Sequence, residues 1–235
     1  INTQGFKDTQ ASSFLIYNGD VLLCNNFGAF YKNNTKNSLS NVFSVISEKA
    51  VFAVDKLKEN EYLIFEKNSV LSFNTRSLKT TTIHETTNLQ NGIIDSRGII
   101  WVTHWESGLD GYNPVTKKHY HIDVDKEDKS LNVVFTLLED KDGSLWLGTF
   151  GAGLQQVKNP DSENPIISKY LFKKHENSLS NNFITSMFDD GKHSLWIGTN
   201  GGGLNHFDKK KKTFEHFTTD EGLRSNVIQA IVSDL

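Results

Sequence analysis

The chain has 235 residues, of which 37% are hydrophobic and 23% are charged, a composition typical of a folded globular protein. Its 25 basic and 28 acidic residues leave a net charge of −3, which gives no overall attraction to nucleic acid or to an anionic membrane surface. No stretch approaches the roughly 20 consecutive apolar residues that a membrane helix needs. We therefore expect this segment to contact neither nucleic acid nor a membrane.

Two local features of the composition are the cysteine and one run of lysines. Cys24 follows two leucines and has no second cysteine with which to form an intramolecular disulfide, so a buried, unreactive thiol is predicted. The run Lys209–Lys212 lies between two apolar, strand-like stretches. We interpret it as a solvated hairpin tip and not as an anion site.

Along the chain, short runs of alternating apolar and polar residues are separated by Gly, Asp and Asn, and each run predicts a strand. The runs form a repeat whose first copies are weak. Leu22 and Leu63 occupy the position that later copies give to a tryptophan. A degenerate third copy contains Trp101, followed by Gly108-Leu109.

Two clear copies follow. The first reads Asn132-Val-Val-Phe-Thr-Leu-Leu-Glu-Asp140, then Ser144-Leu-Trp-Leu-Gly-Thr149 and Gly151-Ala-Gly-Leu154, and the pattern returns 50 residues later. For that second copy the predicted strands are 183–188, 194–198, 204–207 and 213–217. A further copy begins at Asn226. The Gly-x-Gly groups open onto another short strand and not onto a helix, so we interpret them as turn glycines and not as a phosphate-binding loop.

The five positions at Leu22, Leu63, Trp101, Trp146 and Trp196 are 41, 38, 45 and 50 residues apart, the period of a four-stranded propeller blade. The sequence therefore predicts an all-β fold, a β-propeller segment of about five antiparallel blades plus the start of another. The expected boundaries within this single segment, 1–235, are 9–48, 49–87, 88–130, 131–180 and 181–225, with a new blade at 226–235. Trp146 and Trp196 are expected to be buried between neighbouring blades.

The stretch Ser194-Leu-Trp-Ile-Gly-Thr-Asn-Gly-Gly-Gly-Leu-Asn-His-Phe-Asp208 closely resembles the two-component regulator propeller repeat. Proteins of that family are typically periplasmic sensors of hybrid two-component systems, with a histidine kinase elsewhere in the protein. The resemblance implies a periplasmic sensor segment whose partners are a glycan fragment and a second copy of the chain, as in a homodimer.

The third copy departs from the repeat at one point. Where later copies have Gly-Thr-x-Gly, it has Thr103-His104-Trp105-Glu106. Exposed aromatic and polar side chains at a propeller's loop face suit stacking on a sugar and hydrogen bonding to it. His104, Trp105 and Glu106 are therefore candidate ligand-binding residues, with Phe150 and Asn200 at comparable positions in the next copies. The alternative is that Trp105 fills space in a degenerate blade.

The spacing of the polar residues shows no nucleophile with a base, no paired carboxylates and no metal cluster. His119 and His121 share one face of a strand but supply too few ligands for zinc. No cofactor or metal is expected. Three functions stay open: a non-catalytic sensor, a propeller lyase or hydrolase with His104 and Glu106 as acid and base, and a protein–protein interaction scaffold.

Overall fold

The computed structural model describes residues 13–17, 20–32, 43–105, 107–128, 131, 133–174 and 176–232. Within these ranges, twenty strands form five four-stranded sheets. The strands are β1 (Ser13–Tyr17), β2 (Asp20–Asn25), β3 (Gly28–Lys32), β4 (Ser44–Ser47), β5 (Val51–Lys58), β6 (Glu61–Glu66), β7 (Ser69–Asn74), β8 (Lys79–Glu85), β9 (Leu89–Ile94), β10 (Ile100–His104), β11 (Leu109–Tyr112), β12 (His119–Ile122), β13 (Val134–Glu139), β14 (Leu145–Thr149), β15 (Leu154–Lys158), β16 (Ile166–Tyr170), β17 (Ile184–Asp189), β18 (Ser194–Thr199), β19 (Leu204–Asp208) and β20 (Thr213–Phe217).

In every sheet the strands lie side by side in chain order, so that each sheet is a meander of hairpins. The all-β fold made of four-stranded antiparallel propeller blades is confirmed. The four strands predicted for the second clear copy match β17 to β20 to within one residue at each end. The accuracy has a physical reason: the Gly- and Asp-rich turns and the two-residue alternation locate each hairpin from the sequence alone.

The chain divides into two compact units, residues 1–94, 98–102 and 112–118, and residues 95–97, 103–111 and 119–235. In the first unit, one apolar cluster surrounds Tyr62 and Phe73, and a second surrounds Leu63 and Phe65. In the second unit, the cluster includes Trp146 with residues of β15, β17, β18, β19 and β20. Packing of one sheet on the next within a unit thus forms its core, as in a radial array of blades.

At the repeat's tryptophan position, Leu22, Leu63, Trp101 and Trp146 are all buried. Trp196 is partly buried, so the expectation that both rings are buried between neighbouring blades is confirmed for Trp146 and met only in part by Trp196. The Trp196 ring lies against His206 and Phe217 of its own sheet, with centroid distances of 4.6 and 6.0 Å.

The Gly-x-Gly groups form tight turns. Gly153 and Gly203 have φ angles of +72° and +76°, a region that favours glycine. A Cβ atom would lie 2.4 Å from the carbonyl oxygen of Tyr170 at Gly153, and 2.2 Å from that of Phe217 at Gly203. Both positions therefore combine a conformational and a steric requirement for glycine, and the interpretation as turn glycines is confirmed.

Main-chain hydrogen bonds join the end of each clear copy's second strand to the segment that begins the next sheet. The N–H groups of Gly151 and Gly153 both donate to the carbonyl of Asn182, each at 3.2 Å. Gly201 and Gly203 donate in the same way to Asn226, at 3.0 and 2.8 Å. The expected start of a sixth blade after residue 225 thus occupies the place that β17 holds in the preceding copy.

Cys24 is buried, and burial raises the pKa of its thiol to about 12. The prediction of a buried thiol is therefore confirmed, and the raised pKa makes the nucleophilic thiolate scarce at neutral pH. In the part of the chain that the structure describes, no helix has the length and hydropathy required to cross a membrane.

Candidate functional site

Exposed aromatic side chains mark the turns that follow the second strands of the third and fourth sheets. Trp105 directly follows β10 and Phe150 directly follows β14, so the two residues hold the same position in successive repeats. Their side chains are 50% and 40% exposed, and their ring centroids lie 6.2 Å apart. Two of the predicted site residues are thus brought together on the surface.

The row of rings continues into the fifth sheet. Phe150 packs edge-on against Phe183, with the centroids 3.8 Å apart, and Phe183 lies 6.3 Å from Phe135. Phe135 is itself 45% exposed. We call Trp105, Phe135, Phe150 and Phe183 the aromatic ledge.

Local backbone geometry explains why Phe135 points outward. The register between β13 and β14 shifts between Val134 and Thr136, so that Phe135 is the extra residue of a β-bulge. A bulge redirects the side chain of the inserted residue and increases the local twist. Phe135 therefore reaches the surface although it lies within a strand.

Asn200 holds the same position in the fifth sheet as Phe150 does in the fourth. It is exposed, its N–H donates to the carbonyl of Phe183 at 2.9 Å, and its own carbonyl accepts from the side chain of Asn181 at 3.0 Å. Its backbone thus lies beside that of Phe183 in the aromatic ledge, and an exposed polar residue at this place can add hydrogen bonds to a ligand that stacks on the rings.

His104 turns away from the aromatic ledge. It is 8% exposed, and its Nε2 lies 3.1 Å from Asp110 Oδ2 on the neighbouring strand. Asp110 also contacts His121, whose Nδ1 is 2.6 Å from Asp110 Oδ1 and whose Nε2 is 3.4 Å from Asp123 Oδ1. His104 is therefore part of a histidine–carboxylate cluster and does not line the ledge.

The cluster shifts the ionisation of its members. Burial acts to raise the pKa of Asp110, but hydrogen bonds and charge from His104 and His121 outweigh it and lower that pKa below its ordinary value of 3.8. Burial acts to lower the pKa of His121, but Asp110 and Asp123 outweigh it and raise that pKa above 6.5. Both shifts favour the charged forms of Asp110 and His121.

Glu106 lies outside the described residues, so its place relative to the aromatic ledge stays a prediction. Phe135 and Phe183 belong to the ledge but are absent from the sequence prediction. The sequence could have identified Phe183, because it is a large aromatic residue at a repeat position where the neighbouring copies have the smaller Val133 and Val227. Across the described ranges, no group of three or more His, Cys, Asp or Glu side chains is arranged to hold a metal ion.

Comparison with known proteins assigns the repeats. Residues 128–151 and 178–201 match the family described as two component regulator propeller. These segments are two-component regulator propeller repeats. Each match ends in the turn that carries Phe150 or Asn200, so the repeat supplies the scaffold of the ledge. The resemblance recognised from Ser194 to Asp208 is confirmed.

Solved structures share this propeller fold. The extracellular domain of the hybrid two component system BT4673 from B. thetaiotaomicron aligns with a TM-score of 0.72 and 20% identity over 100% of this chain and 31% of its own. The extracellular domain of the hybrid two component system BT3049 from the same organism aligns with a TM-score of 0.60 and 17% identity, over 96% of this chain and 36% of its own. Virginiamycin B lyase from Staphylococcus aureus aligns with a TM-score of 0.65 and 12% identity, over 92% of this chain and 71% of its own.

The chain spans about a third of the length of the two sensor domains that it matches. No curated protein sequence matches it. At these identities the structural likeness establishes the fold, while the repeat match points to two-component regulators.

Proposed function

We propose that this chain is a non-catalytic, periplasmic sensor segment of a two-component signalling protein, and that it binds a neutral oligosaccharide on the aromatic ledge. The observation that carries the proposal is the row of four rings, which runs from Trp105 through Phe150 and Phe183 to Phe135, with Trp105, Phe150 and Phe135 exposed. A contiguous exposed aromatic surface is costly in water unless a partner covers it, and such patches mark binding sites.

The geometry fits a sugar ligand. A pyranose ring has faces of C–H groups edged by hydroxyls, so it stacks on an aromatic ring while its hydroxyls bond to nearby polar groups. The centroid spacings of 6.2 and 3.8 Å along Trp105, Phe150 and Phe183 provide a row longer than one sugar residue. Asn200, whose backbone adjoins Phe183, supplies the polar contacts. An oligosaccharide therefore suits the ledge better than a monosaccharide.

The repeat match supports the signalling role. It connects residues 128–151 and 178–201 to two-component regulators, and the BT4673 and BT3049 structures are extracellular domains of such systems. We propose accordingly that ligand binding is transmitted to a kinase outside this segment, and that copies of the chain associate as a homodimer. A periplasmic location agrees with the extracellular origin of those domains.

The alternative of a lyase or hydrolase has less support in the geometry. His104 is buried against Asp110, so its imidazole is not presented beside the exposed rings. The fold likeness to virginiamycin B lyase, at 12% identity, carries no catalytic residue over. The sensor is therefore the function that the site supports best.

Calorimetric titration with a panel of neutral oligosaccharides of four to six residues tests the proposal. We expect Trp105→Ala to weaken binding about tenfold or more, because it removes the largest and most exposed ring of the aromatic ledge, and Trp105→Phe to retain most of the affinity. Val115→Ala, which trims an apolar side chain that is 86% exposed in the β11–β12 turn, is the control and should change nothing. Equal losses in Trp105→Ala and Val115→Ala, or no binding across the panel, would refute the proposal.

A further inference from the structure

The second unit also has a cleft lined largely by lysines, at the other ends of its strands. The aromatic ledge lies at the turns between second and third strands, whereas this cleft lies at the β13–β14, β17–β18 and β19–β20 turns and beside β15 and β16. Its volume is about 600 Å³, within the range of ligand pockets. We call it the basic cleft; its lysines are Lys141, Lys158, Lys192, Lys209, Lys210 and Lys212.

One of these lysines has a structural role. Lys209 Nζ lies 3.1 Å from Asp140 Oδ2 and 2.8 Å from Asp189 Oδ1, with all three side chains nearly buried. Asp140 also accepts a hydrogen bond from Trp146 Nε1 at 2.9 Å. Lys209 therefore joins the fourth sheet to the fifth and neutralises the two carboxylates. The interpretation of Lys209–Lys212 as a solvated tip is wrong for Lys209, because its partners lie on other strands.

The other five lysines of the basic cleft are exposed; its lining also includes two carboxylates, Asp142 and the Asp140 already paired with Lys209, so positive charge stays in excess. Among the residues that the structure describes, no Asp or Glu oxygen lies within 4.0 Å of their ammonium groups. They come from both sheets, and the Lys141 side chain packs over Gly191 of the neighbouring turn. Five like charges held around one cleft repel one another, and an anion bound among them relieves that repulsion.

The floor of the basic cleft is different from its rim. Tyr170 and Ile166 contribute apolar surface, while Gln156 and Ser168 contribute hydrogen-bonding groups. Trp146 also borders the cleft, but its side chain is only 1% exposed. This combination accommodates a molecule with an extended, partly apolar body and anionic groups along it. A single inorganic ion would fill only a small part of about 600 Å³.

We infer that the basic cleft is a second ligand site, for an oligosaccharide that carries several sulfate or carboxylate groups. Lysine ammonium groups attract such anions as point charges without requiring the planar geometry of an arginine pair, so they tolerate either group. The inference does not rest on the aromatic ledge, which lies at the opposite ends of the strands and has no comparable excess of charge.

The test compares two anionic hexasaccharides with a neutral one, and sulfated cellohexaose shares the backbone of the neutral ligand. Sulfated cellohexaose, unsulfated cellohexaose and hexameric oligogalacturonate are titrated into the whole chain, together with sodium sulfate and vesicles containing phosphatidylglycerol. We expect the two anionic hexamers to bind at least about tenfold more tightly than unsulfated cellohexaose, and more weakly in 500 mM than in 50 mM NaCl, because salt screens exposed charges. Inorganic sulfate that binds as tightly, or vesicles that bind in preference, would overturn the assignment.

Two double variants with the same loss of charge separate a defined site from general attraction. Lys192→Gln/Lys210→Gln removes two exposed lysines of the basic cleft, and Lys67→Gln/Lys79→Gln removes two exposed lysines of the first unit. We expect the first to weaken binding of sulfated cellohexaose about tenfold or more and the second less than twofold. Equal weakening in the two would refute the inference. Trp105→Ala serves as the independent readout, since failure at the basic cleft leaves its effect on neutral oligosaccharides intact.

Discussion

The fourth and fifth sheets are copies of one repeat, and their tryptophans lie in different surroundings. The Trp146 ring contacts Tyr170 of its own sheet at 5.9 Å and Phe207 of the following sheet at 5.8 Å, and its side chain is 1% exposed. The Trp196 ring contacts His206 and Phe217, both of its own sheet, and is only partly buried. Burial of the repeat's tryptophan thus depends on the sheet that follows it.

The largest loss of stability is expected when the tryptophans themselves are replaced. Trp146→Ala should lower the free energy of unfolding by about 4 kcal/mol, because it empties a closed site between two sheets. Trp196→Ala should cost about 1 to 2 kcal/mol, since water already reaches part of that ring. Urea denaturation followed by far-ultraviolet circular dichroism measures both. Equal costs would mean that the following sheet contributes little to burial.

A second prediction concerns the turn glycine that the two copies share, Gly153 in the fourth sheet and Gly203 in the fifth. Gly153→Ala and Gly203→Ala should each cost about 2 to 3 kcal/mol, because both the positive φ and the adjacent carbonyl oppose a Cβ atom. Gly222→Ala is the matched control: its φ is +102°, but nothing lies within 4 Å of the added carbon. It should cost about 1 kcal/mol, and a cost as large as that of Gly203→Ala in the same urea titration would show that steric contact is unimportant.

The smallest expected change in stability concerns the third copy, in which His104 occupies the position that the two clear copies give to a threonine. Thr149 and Thr199 donate their hydroxyls to the carbonyls of Gly153 and Gly203, whereas His104 pairs with Asp110. The raised pKa of His121 in this cluster gives stability that is complete below pH 6.5 and is lost as the pH rises through the folded-state value. The lowered pKa of Asp110 gives stability that is present above pH 3.8 and is lost as the pH falls through its folded-state value.

Both contributions are therefore present between pH 3.8 and 6.5. The stability difference between the wild-type chain and His121→Gln should be largest there, and smaller at pH 8.5. Because His121 is half exposed, we expect less than about 1 kcal/mol. Thermal melts of the two proteins at pH 5.5 and 8.5 measure it, and a difference that grows with pH would contradict the assigned pKa directions.

The sequence was sufficient to locate the hairpins and the turn residues that carry the ledge, since alternation and glycine-rich turns are local signals. Trp105 and Phe150 were found from their position in the repeat. Phe135 was missed because its exposure depends on a bulge, which the alternation pattern does not reveal. The role of Lys209 was missed because its partners Asp140 and Asp189 are 69 and 20 residues away in sequence.

The bonds from paired glycine N–H groups to the carbonyls of Asn182 and Asn226 involve the backbone alone. The asparagine side chains add a second bond at each joint, because Asn182 Oδ1 accepts from the N–H of Phe172 at 2.6 Å and Asn226 Oδ1 accepts from the N–H of Thr219 at 2.9 Å. The turn residues Phe150 and Asn200 differ, while the two joints keep the same pattern of bonds. The side chain exposed in the turn can therefore change without loss of the joint between repeats.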